Sequence, residues 1–273
     1  MNPLKSVVKK QGKATAAVKP STLKKPEATL RAMYRKLSRA WGKQHWWPAE
    51  TPFEVIVGAI LTQNTSWTNV ERAIASLRAA GRLSIEGIRE VPQTKLEELI
   101  RSSGYFRQKA RRLKSFVTFL DARYAGSLER MFAAPTERLR ADLLALNGIG
   151  AETADSILLY AGNHAIFVVD AYTRRILERH EAVEEGANYD EIRSLVERAL
   201  QHEPPVPPLF DRLTGERRPK VHSPSAMSTA QRSPLTQIYN EMHGLLVQVG
   251  KHYCRKSEPK CEVCPLGSML RKE

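Results

Sequence analysis

Three groups of residues in this chain have the types and spacing to do chemistry. In the first, Gly148 and Gly150 bracket Ile149 within the run LNGIGAETA from Leu146 to Ala154. A turn with two glycines so close reaches backbone angles closed to other residues and has no side chain to obstruct an approaching phosphate. The amides of that turn, from Asn147 onward, and those of a helix starting near Ala151 with Thr153 in its first turn, can cradle a phosphate oxygen whatever the base sequence. The second is Asp170, about twenty residues further on, which opens the segment DAYTRRILERH. A carboxylate at a helix N-terminus is stabilised by the dipole and can stay ionised facing a ligand. The third is Cys254, Cys261 and Cys264, the chain's 3 cysteines, spaced C-x6-C-x2-C. An odd number of thiols crowded into one short loop is better explained by a ligand cluster than by a disulfide framework. Each group also has a plainer reading: a GxG between helices is commonly just a turn, and Asp is a common helix cap.

The elements that must position these residues are helical. Leu30, Met33, Tyr34 and Leu37 recur at spacings of three and four between Glu27 and Trp41, which marks an amphipathic helix. The same period predicts helices at about 51–63, 67–80, 93–103, 106–124, 136–146, 151–162, 171–180, 187–202 and 234–251. The one strand-like run, Ala165 to Val169, is too short and isolated to found a sheet, so the fold class is all-α. Residues 1–26 carry seven lysines and no acid, with too little apolar content to order themselves, and are expected to form a flexible basic arm. The stretch 204–234 holds seven prolines and little periodicity and is expected to be a flexible insertion outside the core.

Hydrophobic content of 42% is ample for a packed core, and 43 Lys and Arg against 29 Asp and Glu leave a net charge of +14. That excess points to nucleic acid, the bland alternative being a basic, well-solvated surface. No stretch is long and apolar enough for a bilayer span, and the N-terminus lacks the apolar core of a secretory signal, so a cytoplasmic, nucleoid-associated location is expected.

The arrangement LNGIGAETADSILLYA followed by VVDAYTRR resembles the helix-hairpin-helix (HhH-GPD) superfamily of DNA glycosylases that includes endonuclease III. The resemblance covers residues from about 28 to 266 and implies two α-helical domains flanking a DNA-binding cleft. One would be a bundle over 44–164 that contains the hairpin; the other would join 27–43 to 165–273 with its cysteine loop. It implies that Asp170 is the catalytic carboxylate, stabilising an oxocarbenium-like sugar or deprotonating a water, on a nucleotide extruded from the duplex. Gln63, in TPFEVIVGAILTQNTSW, stands where the family inserts a residue into the gap left by the extruded base.

Bifunctional members carry a lysine nucleophile where this chain has Glu152. A carboxylate cannot form a Schiff base, so the chain is expected to be a monofunctional glycosylase with doubtful AP-lyase activity. Trp46 and Trp47, with Trp67 and the Glu152-x-x-Asp155 pattern, resemble the 3-methyladenine glycosylase branch, which implies an alkylated, cationic purine drawn to indole faces. The alternatives are a glycosylase for oxidised or mismatched bases, with the tryptophans merely packing helices, and a DNA-binding protein that retained the hairpin without catalysis. Cys254, Cys261 and Cys264 match the first three ligands of the family's 4Fe-4S loop, but Leu270 occupies the fourth. The expected cofactor is a 4Fe-4S cluster held by the three cysteines with an open fourth site; zinc completed by His252 and loss of the metal are the alternatives. The expected partner is duplex DNA bearing a damaged base, met by a monomer.

Overall fold

The computed structural model describes residues 25–205 and 223–270, and among them there is no strand. The fold is all-α. The basic arm expected over 1–26 lies outside the described residues up to position 24, and Pro26 already opens the first helix. This helix, α1 (Pro26–Trp41), buries Leu30, Met33, Tyr34, Leu37 and Trp41 along one stripe, as the sequence period requires. Next comes α2 (Pro52–Leu61), capped by the Thr51 hydroxyl accepting from the Glu54 amide at 3.1 Å. Every residue from Phe53 to Leu61 is buried, so α2 is a central helix, apolar all round.

Around it stand α3 (Trp67–Ala79), α4 (Ile85–Glu90), α5 (Gln93–Leu99), α6 (Phe106–Tyr124), α7 (Leu128–Phe132), α8 (Thr136–Leu144) and α9 (Ala151–Ser156). The buried Lys109 of α6 ties this group together, its Nζ donating to the carbonyls of Leu61 at 2.8 Å and Ser103 at 2.6 Å. Burial, with Arg112 nearby, lowers that ammonium to about 8. The helix expected over 151–162 changes pitch: α9 passes into a π-turn over Ile157–Ala161, where Gly162 N–H reaches Ile157 O at 3.1 Å.

Beyond an extended stretch over 165–169 come α10 (Ala171–Arg179), α11 (Tyr189–Leu200), α12 (Ala226–Thr229) and α13 (Pro234–His252). α13 is the second central helix, buried continuously from Ile238 to Gly250 and packed on α1, α10, α11 and the π-turn. It meets α10 closely because Gly250 has no side chain; a Cβ there would lie 2.3 Å from the Tyr172 ring.

Of the stretch 204–234, residues 206–222 lie outside the described residues, but the remainder corrects the expectation of an insertion outside the core. Met227 is buried, its amide bonds the Ala49 carbonyl at 3.0 Å, and the Ser225 hydroxyl accepts from the Ala49 amide at 3.2 Å. The proline-rich composition hid one docked helical turn. The short helices α4 and α7 were also beyond periodicity, since fewer than two turns leave too few repeats to detect.

Candidate active site

Between α8 and α9 the chain makes the hairpin. Ile149 is buried, its amide bonded to Leu146 O at 3.0 Å, and Gly148 has φ +83°, a left-handed angle. A Cβ on Gly148 would sit 2.0 Å from Arg112 Nε, so glycine is required twice over. Gly150 corrects the two-glycine expectation: its φ of −90° is open to any residue. What its lack of a side chain provides is space, since a Cβ there would meet nothing within 4 Å. Asn147 is exposed beside it.

Gln63 reaches the hairpin from the loop after α2. Its Nε2 donates to Gly148 O at 3.0 Å and Thr153 Oγ1 at 2.8 Å, while its Oε1 accepts from the Arg112 guanidinium. Gln63, Gly148 and Thr153 are therefore one bonded unit, steadied by Arg112, a residue that no local pattern singles out.

Asp170 is the N-cap of α10. Its Oδ1 accepts from the Thr173 amide at 2.7 Å, leaving Oδ2 uncommitted to the cap, 3.7 Å from His243 Nε2. Cap and functional carboxylate coexist because the two oxygens divide the work. Glu152, in the first turn of α9, is open to solvent, yet the protein around it and then the charge of Asp170 push its carboxyl up to about 7. Contact with water tempers that shift. The pair places two acidic groups within electrostatic reach of each other beside the hairpin.

Asp155, one helical turn beyond Glu152, has a different role. It is wholly buried, gripped by Arg140 at 2.7 and 3.2 Å, and Arg140 also holds Asp190 at 2.8 Å. This ion pair bolts α8, α9 and α11 together behind the hairpin, so within Glu152-x-x-Asp155 the aspartate holds the helices while the glutamate stands open to solvent.

The tryptophans meet in one aromatic cluster. Trp47 packs edge-on against Trp67 at 5.2 Å between ring centroids and lies 5.1 Å from Tyr160, while Trp46 stands edge-on to His243 at 6.3 Å. Gly58 on α2 makes room, since a Cβ there would come within 3.3 Å of Trp47. Trp46 and Trp47 are buried and Trp67 is half-buried, its indole N–H donating to Glu71 at 2.9 Å. The face of Trp46 is met by Lys251, whose Nζ lies 5.2 Å from the ring centroid. Burial lowers that ammonium, against the opposing pull of Asp170 and Glu71.

Tyr160 on the π-turn and His243 on α13 link the cluster to Asp170. The Tyr160 hydroxyl bonds His243 Nδ1 at 2.5 Å, and burial, opposed by Asp170, lowers the imidazole's pKa and so favours the neutral ring. A neutral ring that accepts the tyrosine proton at Nδ1 carries its own on Nε2, facing Asp170. His243 and Lys251 share α13 while Tyr160 comes from the π-turn far earlier in the sequence, and no local pattern announces them.

Cys254, Cys261, Cys264 and Leu270 line one small cavity at the end of α13. Leu270 has no donor atom, so the loop does not supply the four thiolates of a 4Fe-4S cluster. Among the described residues no three His, Cys, Asp or Glu side chains already stand at mutual ligand spacing. His252 stacks edge-on against Tyr253 at 6.5 Å and does not line the cavity.

Residues 57–202 match the HhH-GPD superfamily base excision DNA repair protein model. A provisionally named DNA repair glycosylase of Methanocaldococcus jannaschii is 42% identical over 238 residues, covering 86% of this chain and 92% of that protein. Endonuclease III of Thermotoga maritima is 24% identical over 214 residues, 78% of this chain and 79% of that one. Among solved structures, 3-methyladenine DNA glycosylase of H. pylori bound to 1,N6-ethenoadenine superposes with a TM-score of 0.63 at 29% identity, covering 83% of this chain and 97% of its own. A non-covalent endonuclease III–DNA complex superposes with a TM-score of 0.66 at 19% identity, covering 90% and 95%, and shares the fold.

Proposed function

The chain belongs to the HhH-GPD superfamily of base excision DNA repair proteins, and we propose that within it the chain is a monofunctional glycosylase releasing an alkylated, 3-methyladenine-like purine from duplex DNA. That it is a DNA glycosylase follows from the family and from its 42% identity to the M. jannaschii protein. The observation that carries the chemistry is Asp170, with Oδ1 spent on its helix and Oδ2 left over, beside the Gly148–Gly150 hairpin.

In this reading the hairpin amides hold the backbone of an extruded nucleotide, and the open space over Gly150 admits the phosphate. As the bond from C1′ to the base nitrogen breaks, the Asp170 carboxylate stabilises the positive charge on the sugar. A water adds its oxygen to C1′ and passes its proton to the Asp170 carboxylate, and the base leaves with the bond's electron pair. Glu152 supplies a second carboxyl but no amine, which is why no Schiff base is expected there. The likeness to the H. pylori enzyme and the cluster of Trp46, Trp47 and Trp67 support an alkylated purine.

The domains in this proposal are 44–164 and the union of 27–43 with 165–273, working as a monomer with DNA between them. Outside these assignments, no helix among the described residues is long and apolar enough to cross a membrane.

A second reading rests on Lys251. An ammonium over Trp46 repels a cationic base and leaves a neutral one unaffected, so a neutral lesion suits the site as it stands. A panel of duplexes, each bearing one alkylated, oxidised or mismatched base, decides between them when base release is measured with and without alkali. Preference for alkylated purines supports the proposal. Release of neutral oxidised bases alone overturns the substrate assignment and leaves the glycosylase reaction intact.

A further inference from the structure

His243 of α13 is a buried titratable group walled in by aromatic rings. Trp46 and Phe167 stand edge-on to it at 6.3 and 6.2 Å between ring centroids, and the Tyr160 ring tilts across it at 5.8 Å. Three rings leave the imidazole little room to turn. They reach it because the next residue is Gly244: a Cβ there would lie 3.1 Å from Gln44 and from Trp46.

Its two nitrogens face different groups. Nδ1 lies 2.5 Å from the Tyr160 hydroxyl, which burial keeps protonated, so the hydroxyl donates and Nδ1 accepts. Nε2 is buried with no partner at hydrogen-bond distance, and Asp170 Oδ2 lies 3.7 Å from it. A lone pair on Nε2 would meet the carboxylate's negative charge, whereas a proton there is drawn to it. Burial favours the neutral ring, with Asp170 and Lys251 the charged groups that pull on it in opposite senses. The tautomer with hydrogen on Nε2 meets all of these conditions. A residue kept for packing alone gains nothing from a buried N–H without a partner, which costs stability.

We propose that His243 is a positioning residue for base release: its Nε2–H, aimed by the Tyr160 hydroxyl, holds Asp170 Oδ2 toward the sugar of the extruded nucleotide. This rests on the reading of Asp170 as the reacting carboxylate. The Thr173 amide fixes Oδ1 at 2.7 Å but leaves the carboxylate plane free to swing. A donor aimed at Oδ2 fixes the plane, and each oxygen keeps a further lone pair for the sugar. At 3.7 Å the contact is a charge–dipole attraction rather than a hydrogen bond. Catalytic hydrogen bonds are commonly long in a ligand-free enzyme and tighten once substrate is seated. Tyr160 lies on the π-turn that continues the hairpin helix α9, so the aim of Asp170 is tied to the seat of the hairpin.

The test uses the full chain and whichever alkylated, oxidised or mismatched duplex wild type processes fastest. His243→Asn keeps a polar group beside Tyr160 but is too short to reach Asp170. Its single-turnover base release should fall about 10- to 100-fold, the worth of one hydrogen bond to a charged group, with duplex affinity held within about twofold. His243→Gln, whose amide nitrogen reaches the place of Nε2, should recover most of that loss. Two-bond proton–nitrogen spectra of the substrate-free protein should show hydrogen on Nε2 of the imidazole whose signal is missing from His243→Gln. Tyr160→Phe should turn that signal into a mixture of tautomers and slow release by about threefold or more. Wild-type rate in His243→Asn, equal losses in Asn and Gln, affinity lost in parallel with rate, or hydrogen on Nδ1 in wild type would each overturn the inference. Undiminished release in Asp170→Asn overturns the reading of Asp170 and the inference with it, whereas the other outcomes leave that reading standing. Should His243→Asn fail to fold, Tyr160→Phe and the wild-type spectrum decide.

Discussion

Replacing Glu152 by Gln removes a carboxyl while keeping its size, and the effect should be read in the pH profile. With that carboxyl raised to about 7, by the protein packed around it first and then by Asp170, roughly a tenth of it is ionised at pH 6 and roughly nine-tenths at pH 8. If the ionised form joins Asp170 in stabilising the positively charged sugar, single-turnover base release should climb by about tenfold between those values and then level off. Because Glu152 is open to solvent, the midpoint should fall at 7 or somewhat below, and above the ordinary glutamate value. Glu152→Gln should show a flat profile near the wild-type rate at low pH. The assay is quench-flow with enzyme in excess over a fluorescent duplex, with anisotropy confirming full occupancy at each pH. Stability supplies a check on sign. A carboxyl whose folded value exceeds its unfolded one favours the fold when protonated, and that contribution is lost as pH rises from about 4.5 through about 7. The Gln variant should therefore melt no lower than wild type at pH 8. A flat wild-type profile, or a step that survives in Glu152→Gln, would refute the reasoning.

Asp170→Ala should cost about 1 kcal/mol through loss of the cap to Thr173, lowering Tm by ~2–4 °C, while Asp170→Asn, which keeps an acceptor, should stay within ~0.5 kcal/mol. Equal losses in calorimetry would mean that Oδ1 is not the cap. Arg140→Ala strands the wholly buried Asp155 and should cost about 3–5 kcal/mol in urea denaturation; a loss below about 1 kcal/mol would contradict the bolt between α8, α9 and α11. Gly148→Ala must hold a left-handed angle and displace Arg112, so about 1–2 kcal/mol of stability and most of the affinity for duplex DNA should go together. Wild-type binding in that variant would show that the hairpin does not hold the backbone.

The hairpin was legible because a left-handed turn leaves a local mark: Gly148 cannot be replaced without strain, and the helices on either side repeat at 3.6 residues. Asp170 was legible for the same reason, since capping chemistry acts over three residues of chain. The partners of these groups were not. Arg112 reaches Gln63 across 49 positions, and His243 meets Tyr160 across 83, distances over which sequence periodicity carries no information. Composition left indole faces open to a base and indoles packed between helices equally possible for the tryptophans, because composition does not reveal burial; Trp47 is buried beside Gly58 of α2 and Trp46 beside His243 and Gly244 of α13. His252 adjoins the cysteines in sequence but packs against Tyr253, whereas the fold brings His180 from the end of α10 to the cavity the cysteines line. The π-turn over Ile157–Ala161 has no composition of its own and displaces Tyr160 onto His243 through packing alone.

The measurement closest to the central claim compares wild type with Asp170→Asn under single-turnover conditions on a duplex bearing one alkylated purine. A carboxylate about 4 Å from a developing unit charge, at an effective dielectric of about 20, contributes about 4 kcal/mol, or about 10³-fold in rate. The account predicts free base and an abasic strand that breaks only after alkali, with no complex trapped by borohydride, and a variant slower by about that factor that binds the duplex as tightly. Base release undiminished in Asp170→Asn, or borohydride trapping at the rate of base release, would contradict it.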